Sequence, residues 1–320
     1  MTQKVGLAVG VVMDPIQSIK PKKDSTLAML IAAQDRGWIV SYMQQGDLFL
    51  KNGEVWVRRT ELSVQDDPAD WFTLGEETLA PASDFDVILM RKDPPFDMEF
   101  IYTTYLLERV ESSGTMVVNQ PRSIRDCNEK LFATQFPQCC PPHIVSRDLA
   151  LLKEFHQEHQ DVVFKPLDGM GGSSVFRVKP DDPNVNVVLE VLTEYGAQQI
   201  MGQRFIPEIV AGDTRILLID GNPIPYGLAR VPQEGESRGN LAAGGQGVGR
   251  ELVARDLWIC EQVGATLSQK GLLFVGIDVI GEYLTEINVT CPTCIRELDT
   301  IFDLDIAGQL MDCIALKLAT

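Results

Sequence analysis

Along the first third of the chain, hydrophobic positions fall in short unbroken runs separated by amphipathic stretches. Val5–Met13 is a continuous apolar run, the pattern of a strand buried on both faces. Asp24-Ser25 then supplies an N-cap for a helix over Thr26–Arg36, and Gly37 is placed to stop it. Phe85–Met90 predicts a second buried strand, Asp97–Ser113 a helix closed by Gly114, and Thr115–Asn119 a further strand. Strands alternating with helices predict an α/β lobe, a parallel sheet with helices on its faces. The polar stretch Asn119–Asn128 reads as a lobe boundary.

Beyond it the pattern changes. A helix is expected over Asp148–Gln160, and strands over Asp161–Leu167 and Ser174–Val178 flank a glycine-rich loop. Another helix is expected near Val187–Tyr195. Arg215–Asp220 and Pro225–Val231 form a hairpin around Gly221-Asn222-Pro223, and Leu272–Ile280 and Tyr283–Val289 flank a turn at Gly281-Glu282. Adjacent, antiparallel strands mixed with helices predict an α+β portion.

Composition narrows the chemistry. The 320 residues allow two or three lobes, and 45% hydrophobic with 23% charged residues is ordinary for a globular protein. A formal net charge of −17 argues against a nucleic-acid surface. A single nucleotide pocket remains compatible with it, because a few lysines and backbone amides can make one cleft locally positive. The Val5–Met13 run is followed at once by Asp14-Pro15 without a cleavage pattern, so it does not read as a signal peptide, and no stretch reaches membrane-span length. A cytoplasmic location is the expectation. Seven scattered cysteines do not form a disulfide framework, and the lone Cys291-Pro-Thr-Cys294 is weak support for a metal site. Of three histidines, His156 and His159 are expected on a solvated helix face, so histidine-centred catalysis is not anticipated.

Four constellations carry chemistry. In Phe164–Ser174, FKPLDGMGGSS, three glycines in four positions bring backbone N–H groups within reach of phosphate oxygens, with Lys165 beside them. It lacks the Lys-Ser/Thr pair of a Walker A loop, so a tight hairpin is the alternative. Glu286 and Asn288 lie two apart on one strand face, and a turn at Glu282 puts Asp278 opposite Glu286. Two facing carboxylates need a cation between them, and with an amide oxygen they suit Mg²⁺. The segment VPQEGESRGNLAAGGQG, 231–247, with five glycines and one arginine, is either disordered or a lid. Arg91, Asp14, Arg215, Arg230 and Arg296 form a set suited to a substrate bearing several carboxylates.

With Lys130 added, these residues resemble the ATP-grasp ligases. More narrowly, MDPI at Met13–Ile16, KKDS at Lys22–Ser25, ILMRKDPPFD at Ile88–Asp97 and RDCNEKLF at Arg125–Phe132 are similar to bacterial glutathione synthetases. So are KPLDGMGG at Lys165–Gly172, RGNLAAGG at Arg238–Gly245 and LTEINVT at Leu284–Thr290, which together span nearly the whole chain.

The resemblance implies an N-terminal pre-ATP-grasp lobe, 1–124, and an ATP-grasp portion, 125–320, with a central lobe to about 200 and a C-terminal lobe after it. It implies ligation of γ-glutamylcysteine to glycine through an acyl phosphate, with ATP converted to ADP and phosphate. On it, Lys130, Lys165, Gly169, Gly171, Gly172, Ser173 and the linker Gln203, Phe205, Ile206, with Asp213, would hold ATP. Asp278, Glu286 and Asn288 would hold Mg²⁺ or Mn²⁺. Arg215, Arg230 and Arg238 would be catalytic, and Asp14, Ser25, Arg91 and Asn240 would meet the substrate. The resemblance also implies a homotetramer, while the charge and the short apolar runs lead us to expect no nucleic-acid or membrane partner. One departure stands out: after Asn288-Val289-Thr290 the family has serine, where this chain has Cys291. Another ATP-grasp carboxylate–amine ligase, of D-Ala–D-Ala or glutamate-adding type, and a non-catalytic nucleotide-binding module are the alternatives.

Overall fold

The computed structural model describes residues 6–169, 171–233, 239 and 244–319. In the N-terminal lobe, β1 (Ala8–Val12), α1 (Ser25–Asp35) and β2 (Ile39–Met43) open the chain, followed by β3 (Leu48–Lys51), β4 (Glu54–Val64) and β5 (Phe72–Pro81). The lobe continues with β6 (Val87–Met90), α2 (Met98–Glu111), β7 (Met116–Val118) and α3 (Pro121–Asp126). These strands make one seven-stranded sheet of order β3-β4-β2-β1-β6-β7, with β5 on β4.

The alternation of side chains along β1 decides how this sheet is covered. Val9 and Val11 face a core shared with Leu27 and Leu30 of α1 and with the C-terminal helix, whereas Val12 faces Phe100 and Leu107 of α2. Both helices start on aspartate caps: Asp24 accepts from Leu27 N, and Asp97 from Phe100 N.

The expectation of a parallel sheet holds for β2, β1, β6 and β7 and is corrected for the rest. The strands β3, β4 and β5 pair antiparallel, and β4 joins β2 antiparallel. The turn between β3 and β4 is Asn52-Gly53, both at positive φ, 53° and 88°, the backbone that a tight hairpin demands. Within the stretch read as a lobe boundary, Pro121–Asp126 forms a short helix, with proline at its first turn.

The second sheet is antiparallel and four-stranded, in the order β10-β9-β11-β8. Its strands are β8 (His143–Ser146), β9 (Val162–Pro166), β10 (Phe176–Val178) and β11 (Ile200–Arg204), backed by α4 (Leu149–His159) and α5 (Val185–Leu192). His156 and His159 correct the solvated-face expectation. His156 is buried with Nε2 3.1 Å from the Lys179 carbonyl, and the His159 ring packs on Phe155.

The third sheet, order β14-β13-β12-β15-β16, is antiparallel throughout. It consists of β12 (Asp213–Ile219), β13 (Asn222–Val231), β14 (Gln246–Glu251), β15 (Phe274–Ile280) and β16 (Tyr283–Asn288). One face packs on α6 (Ala254–Gln269); the other packs on α7 (Ile295–Phe302) and α8 (Ile306–Leu318), which join it to the N-terminal sheet. Among the described residues no helix is long and apolar enough to cross a membrane.

Candidate active site

A cavity of about 120 Å³ opens between the second and third sheets. On β9, Val163 and Lys165 share a face by the two-residue strand period, and Gln203 of β11 stands opposite Val163 in register. All three line the cavity with Phe205, Ile206, Ile209 and Ile280, which supply an apolar slot. Lys130, Gly169, Gly171, Gly172, Asp213 and Glu286 line the polar end. Gly171 and Gly172 sit at φ 64° and 78°, a backbone that glycine adopts without a Cβ penalty. Ser173 is exposed and does not line this cavity.

Two ammonium groups converge on Glu286: Lys130 Nζ at 3.6 Å and Lys165 Nζ at 3.7 Å. Lys130 Nζ also donates to the Gly169 carbonyl at 2.6 Å and contacts the Glu129 carboxylate. Burial opposes the charge on Lys130, but Glu286 and Glu129 outweigh it and hold its pKa above the ordinary lysine range. Lys165 is different. Complete burial, with Glu286 only partly offsetting it, pulls its pKa down.

The expected pairing of Asp278 with Glu286 across the β15–β16 ladder is present in register. The neighbouring cations differ for the two. Arg215, cross-strand from Asp278, holds it with Nε to Oδ1 at 2.5 Å and Nη2 to Oδ2 at 2.9 Å. Arg230 Nη2 reaches the same Oδ2 at 2.9 Å and bonds Asp213 Oδ2 at 2.5 Å. Burial alone would raise the Asp278 pKa; the two arginines overcome it and hold the carboxyl at about 2. Burial lifts Asp213 to about 7 even with Arg230 beside it, and Asp213 Oδ1 has no hydrogen-bond partner among the described residues. Asn288 donates Nδ2 to Gly276 O and to Asp278 Oδ2, each at 3.2 Å, which leaves its amide oxygen as the remaining donor atom for a cation.

The N-terminal residues expected at the substrate are placed less simply. Arg91 is buried, with Nε donating to Thr26 Oγ1 and Nη2 to Pro292 O, so it ties the lobes together. Ser25 Oγ accepts from Ile295 N and is likewise buried. Asp14 is the open one, pairing with Lys92 at 2.9 Å at the carboxyl end of the parallel strands. Arg238 and Asn240 lie outside the described residues. Of the 231–247 segment, Val231 belongs to β13 and Gln246 and Gly247 belong to β14, while the Gln233 amide donates to Gly244 O at 2.9 Å. Cys291 Sγ donates to the Arg91 carbonyl, and burial pushes its pKa up. Cys294 caps α7 at φ 89°.

Sequence reasoning missed Glu129, Val163, Arg177, Ile209 and Ile280. For Val163 the signal existed, two positions before Lys165; for Arg177 and Ile280 only tertiary placement reveals them.

A glycine loop between antiparallel strands, two lysines, and a carboxylate ladder on a second antiparallel sheet define an ATP-grasp ligase. Solved structures share this architecture: a D-cycloserine synthetase matches with TM-score 0.70 at 15% identity, covering 97% of this chain and 99% of that one. An ATP-grasp ligase, PsnB, solved with minimal precursor, Mg and ADP, matches with TM-score 0.62 at 17% identity and 98% coverage of both. Family models for the prokaryotic glutathione synthetase N-terminal and ATP-grasp domains match residues 7–125 and 129–303. The glutathione synthetase of Pseudomonas syringae pv. tomato is 61% identical over 98% of both chains. That of Escherichia coli K12 is 54% identical over 98% of this chain and 99% of its own. The chain belongs to the prokaryotic glutathione synthetase family, whose members are ATP-dependent ligases.

Proposed function

We propose that the residues around this cavity join γ-glutamylcysteine to glycine, giving glutathione, ADP and phosphate. The observation that carries the reading is the meeting of Lys130 and Lys165 at Glu286, beneath the glycine loop and one strand away from the Arg215–Asp278–Arg230 cluster. ATP fits with its base in the apolar slot at Phe205, Ile206 and Ile280 and its phosphates toward Lys130, Lys165 and the amides of Gly171 and Gly172. Asp213, which lines the same cavity, would lie alongside the nucleotide.

The Glu286 carboxylate, met by lysine ammoniums only at 3.6 and 3.7 Å, and the outward Asn288 amide oxygen are hard donors open to a divalent ion that shares phosphate and water ligands. Asp278 would join them by giving up one of its contacts to Arg215 or Arg230. Asp278, Glu286 and Asn288 would hold Mg²⁺ or Mn²⁺, which when bound neutralises phosphate oxygens.

A carboxylate is a poor electrophile, so the peptide's C-terminal carboxylate takes the γ-phosphoryl group and becomes an acyl phosphate. Glycine's amine adds to that carbonyl, and phosphate leaves. Arg215 and Arg230 are assigned to the tetrahedral oxyanion, because guanidinium groups already fixed by Asp278 would offer stabilisation without reorganisation. Arg238, on the segment between β13 and β14, would exclude water that otherwise hydrolyses the acyl phosphate. Asp14 and Asn240 are assigned to substrate; Ser25 and Arg91 act through the lobe contacts they make. The assembly is proposed to be a homotetramer and its setting cytoplasmic.

The test is a substrate panel read by ADP release. γ-Glutamylcysteine with glycine should be turned over and D-alanine pairs should not. Turnover of D-alanine alone, or of no acceptor, would refute the assignment.

A further inference from the structure

Phe205, in the linker between the second and third sheets, does not stand alone at the nucleotide slot. The Arg177 guanidinium lies 3.5 Å from the centre of its ring, and both residues line the cavity. Arg177 is fixed in turn by Asp161, with Nε to Oδ1 at 2.9 Å and Nη2 to Oδ2 at 2.6 Å, a bidentate pairing that sets the plane of the guanidinium. Asp161 holds the linker a second time, its backbone carbonyl accepting from Phe205 N at 2.9 Å. One residue immediately before β9 therefore grips Phe205 through its backbone and, by way of Arg177, through its side chain. The next linker residue back, Arg204, is pinned the other way: its Nη2 donates to Tyr283 Oη on β16 at 3.0 Å.

We propose that Asp161 and Arg177 are positioning residues that set nucleotide-base selectivity, by holding the Phe205 segment in one orientation against the base. The proposal rests on the reading of this cavity as the ATP site. Adenine presents a donor and an adjacent acceptor on its pairing edge, and guanine presents the reverse, so a backbone segment held in one register matches only one of them. A segment free to shift accommodates both poorly and discriminates less. Lysine cannot replace Arg177 here, because an ammonium neither lies flat on the ring nor pairs bidentately with Asp161.

The experiment measures ADP and GDP affinities by calorimetry for the wild-type protein, Arg177→Ala, Arg177→Lys and Asp161→Asn, with the melting temperature of each. Arg177→Ala should weaken ADP about fivefold, the upper scale of a cation–π contact at an exposed site, and change GDP much less, so the ADP/GDP preference falls. Arg177→Lys should behave like Arg177→Ala, and Asp161→Asn should fall between them and wild type. ADP affinity within twofold of wild type in the arginine variants, or equal losses for ADP and GDP, would overturn the proposal. If Arg177→Ala fails to fold, Arg177→Lys carries the same comparison. A wild-type protein that binds ADP but makes no glutathione would instead sink the ligase reading and leave this one standing.

Discussion

Arg215 and Asp278 face each other on neighbouring antiparallel strands and form a bidentate, fully buried ion pair, with Arg230 on the same carboxylate. Desolvating such charges is expensive, and the arrangement persists because each is saturated by the others. Removing one partner strands the rest. Arg215→Met should cost about 3–5 kcal/mol in urea denaturation and abolish ligation. Stability within 1 kcal/mol of wild type would show that the pair is not the anchor inferred here.

Lys165 should matter to the nucleotide more than to the fold. Its ammonium is buried and paired only at 3.7 Å, so it awaits a closer anion. Lys165→Met is expected to raise the KM for ATP at least about tenfold while keeping the melting temperature, because it removes a desolvated charge. An unchanged KM in steady-state assays would remove Lys165 from the phosphate site.

Gly221, at φ 78°, sits in the β12–β13 turn against α6. A Cβ there would lie 2.4 Å from the Gly264 backbone oxygen. Gly221→Ala therefore combines strain at positive φ with a clash against backbone, and should cost about 1–3 kcal/mol. Urea midpoints of the two proteins check it.

Asp299 gives a pH dependence. Burial raises its pKa to about 6 against an ordinary value of 3.8, with Ile306 N bonded to it opposing. A carboxyl raised in the folded state contributes stability below its unfolded pKa, and that contribution is lost as pH rises through the folded value. Asp299→Asn keeps an acceptor for Ile306 and does not ionise. Relative to wild type it should gain stability between pH 4 and pH 6 and hold the gain above pH 7. A pH-independent difference would refute the burial effect.

Much of this was legible in the sequence because strand period and hydrophobic runs fix local structure. The facing of Asp278 and Glu286 was expected from a turn centred on Glu282; the turn pairs Ile280 with Tyr283, and a bulge at Thr285 brings Asp278 opposite Glu286. The aspartate caps Asp24 and Asp97 marked their helices. The antiparallel strands β3, β4 and β5 escaped, although Asn52-Gly53 was a hairpin signal: β5 exposes most of its residues, so no apolar run announces it. His156 escaped for the opposite reason, since only tertiary packing buries it. The motifs of Arg91 and Ser25 suggested substrate contacts, and their burial against Thr26, Pro292 and Ile295, which joins the lobes, is visible only in the tertiary structure.

The Cys291 thiol donates to the Arg91 carbonyl at 3.2 Å, and Cys291 is not among the described residues that line the cavity between the second and third sheets. A hydroxyl makes the same bond, so Cys291→Ser should retain ligase activity within about twofold, since such a swap keeps the hydrogen bond. Loss of activity would implicate the thiol itself.

The central claim is that phosphoryl transfer goes to the peptide's carboxylate. It is tested most directly with γ-glutamylcysteine labelled with ¹⁸O in its C-terminal carboxylate, incubated with ATP, Mg²⁺ and glycine, and the released phosphate weighed by mass spectrometry. An acyl-phosphate route leaves one ¹⁸O in each phosphate, with Glu286→Ala releasing none. Unlabelled phosphate released alongside glutathione would contradict it.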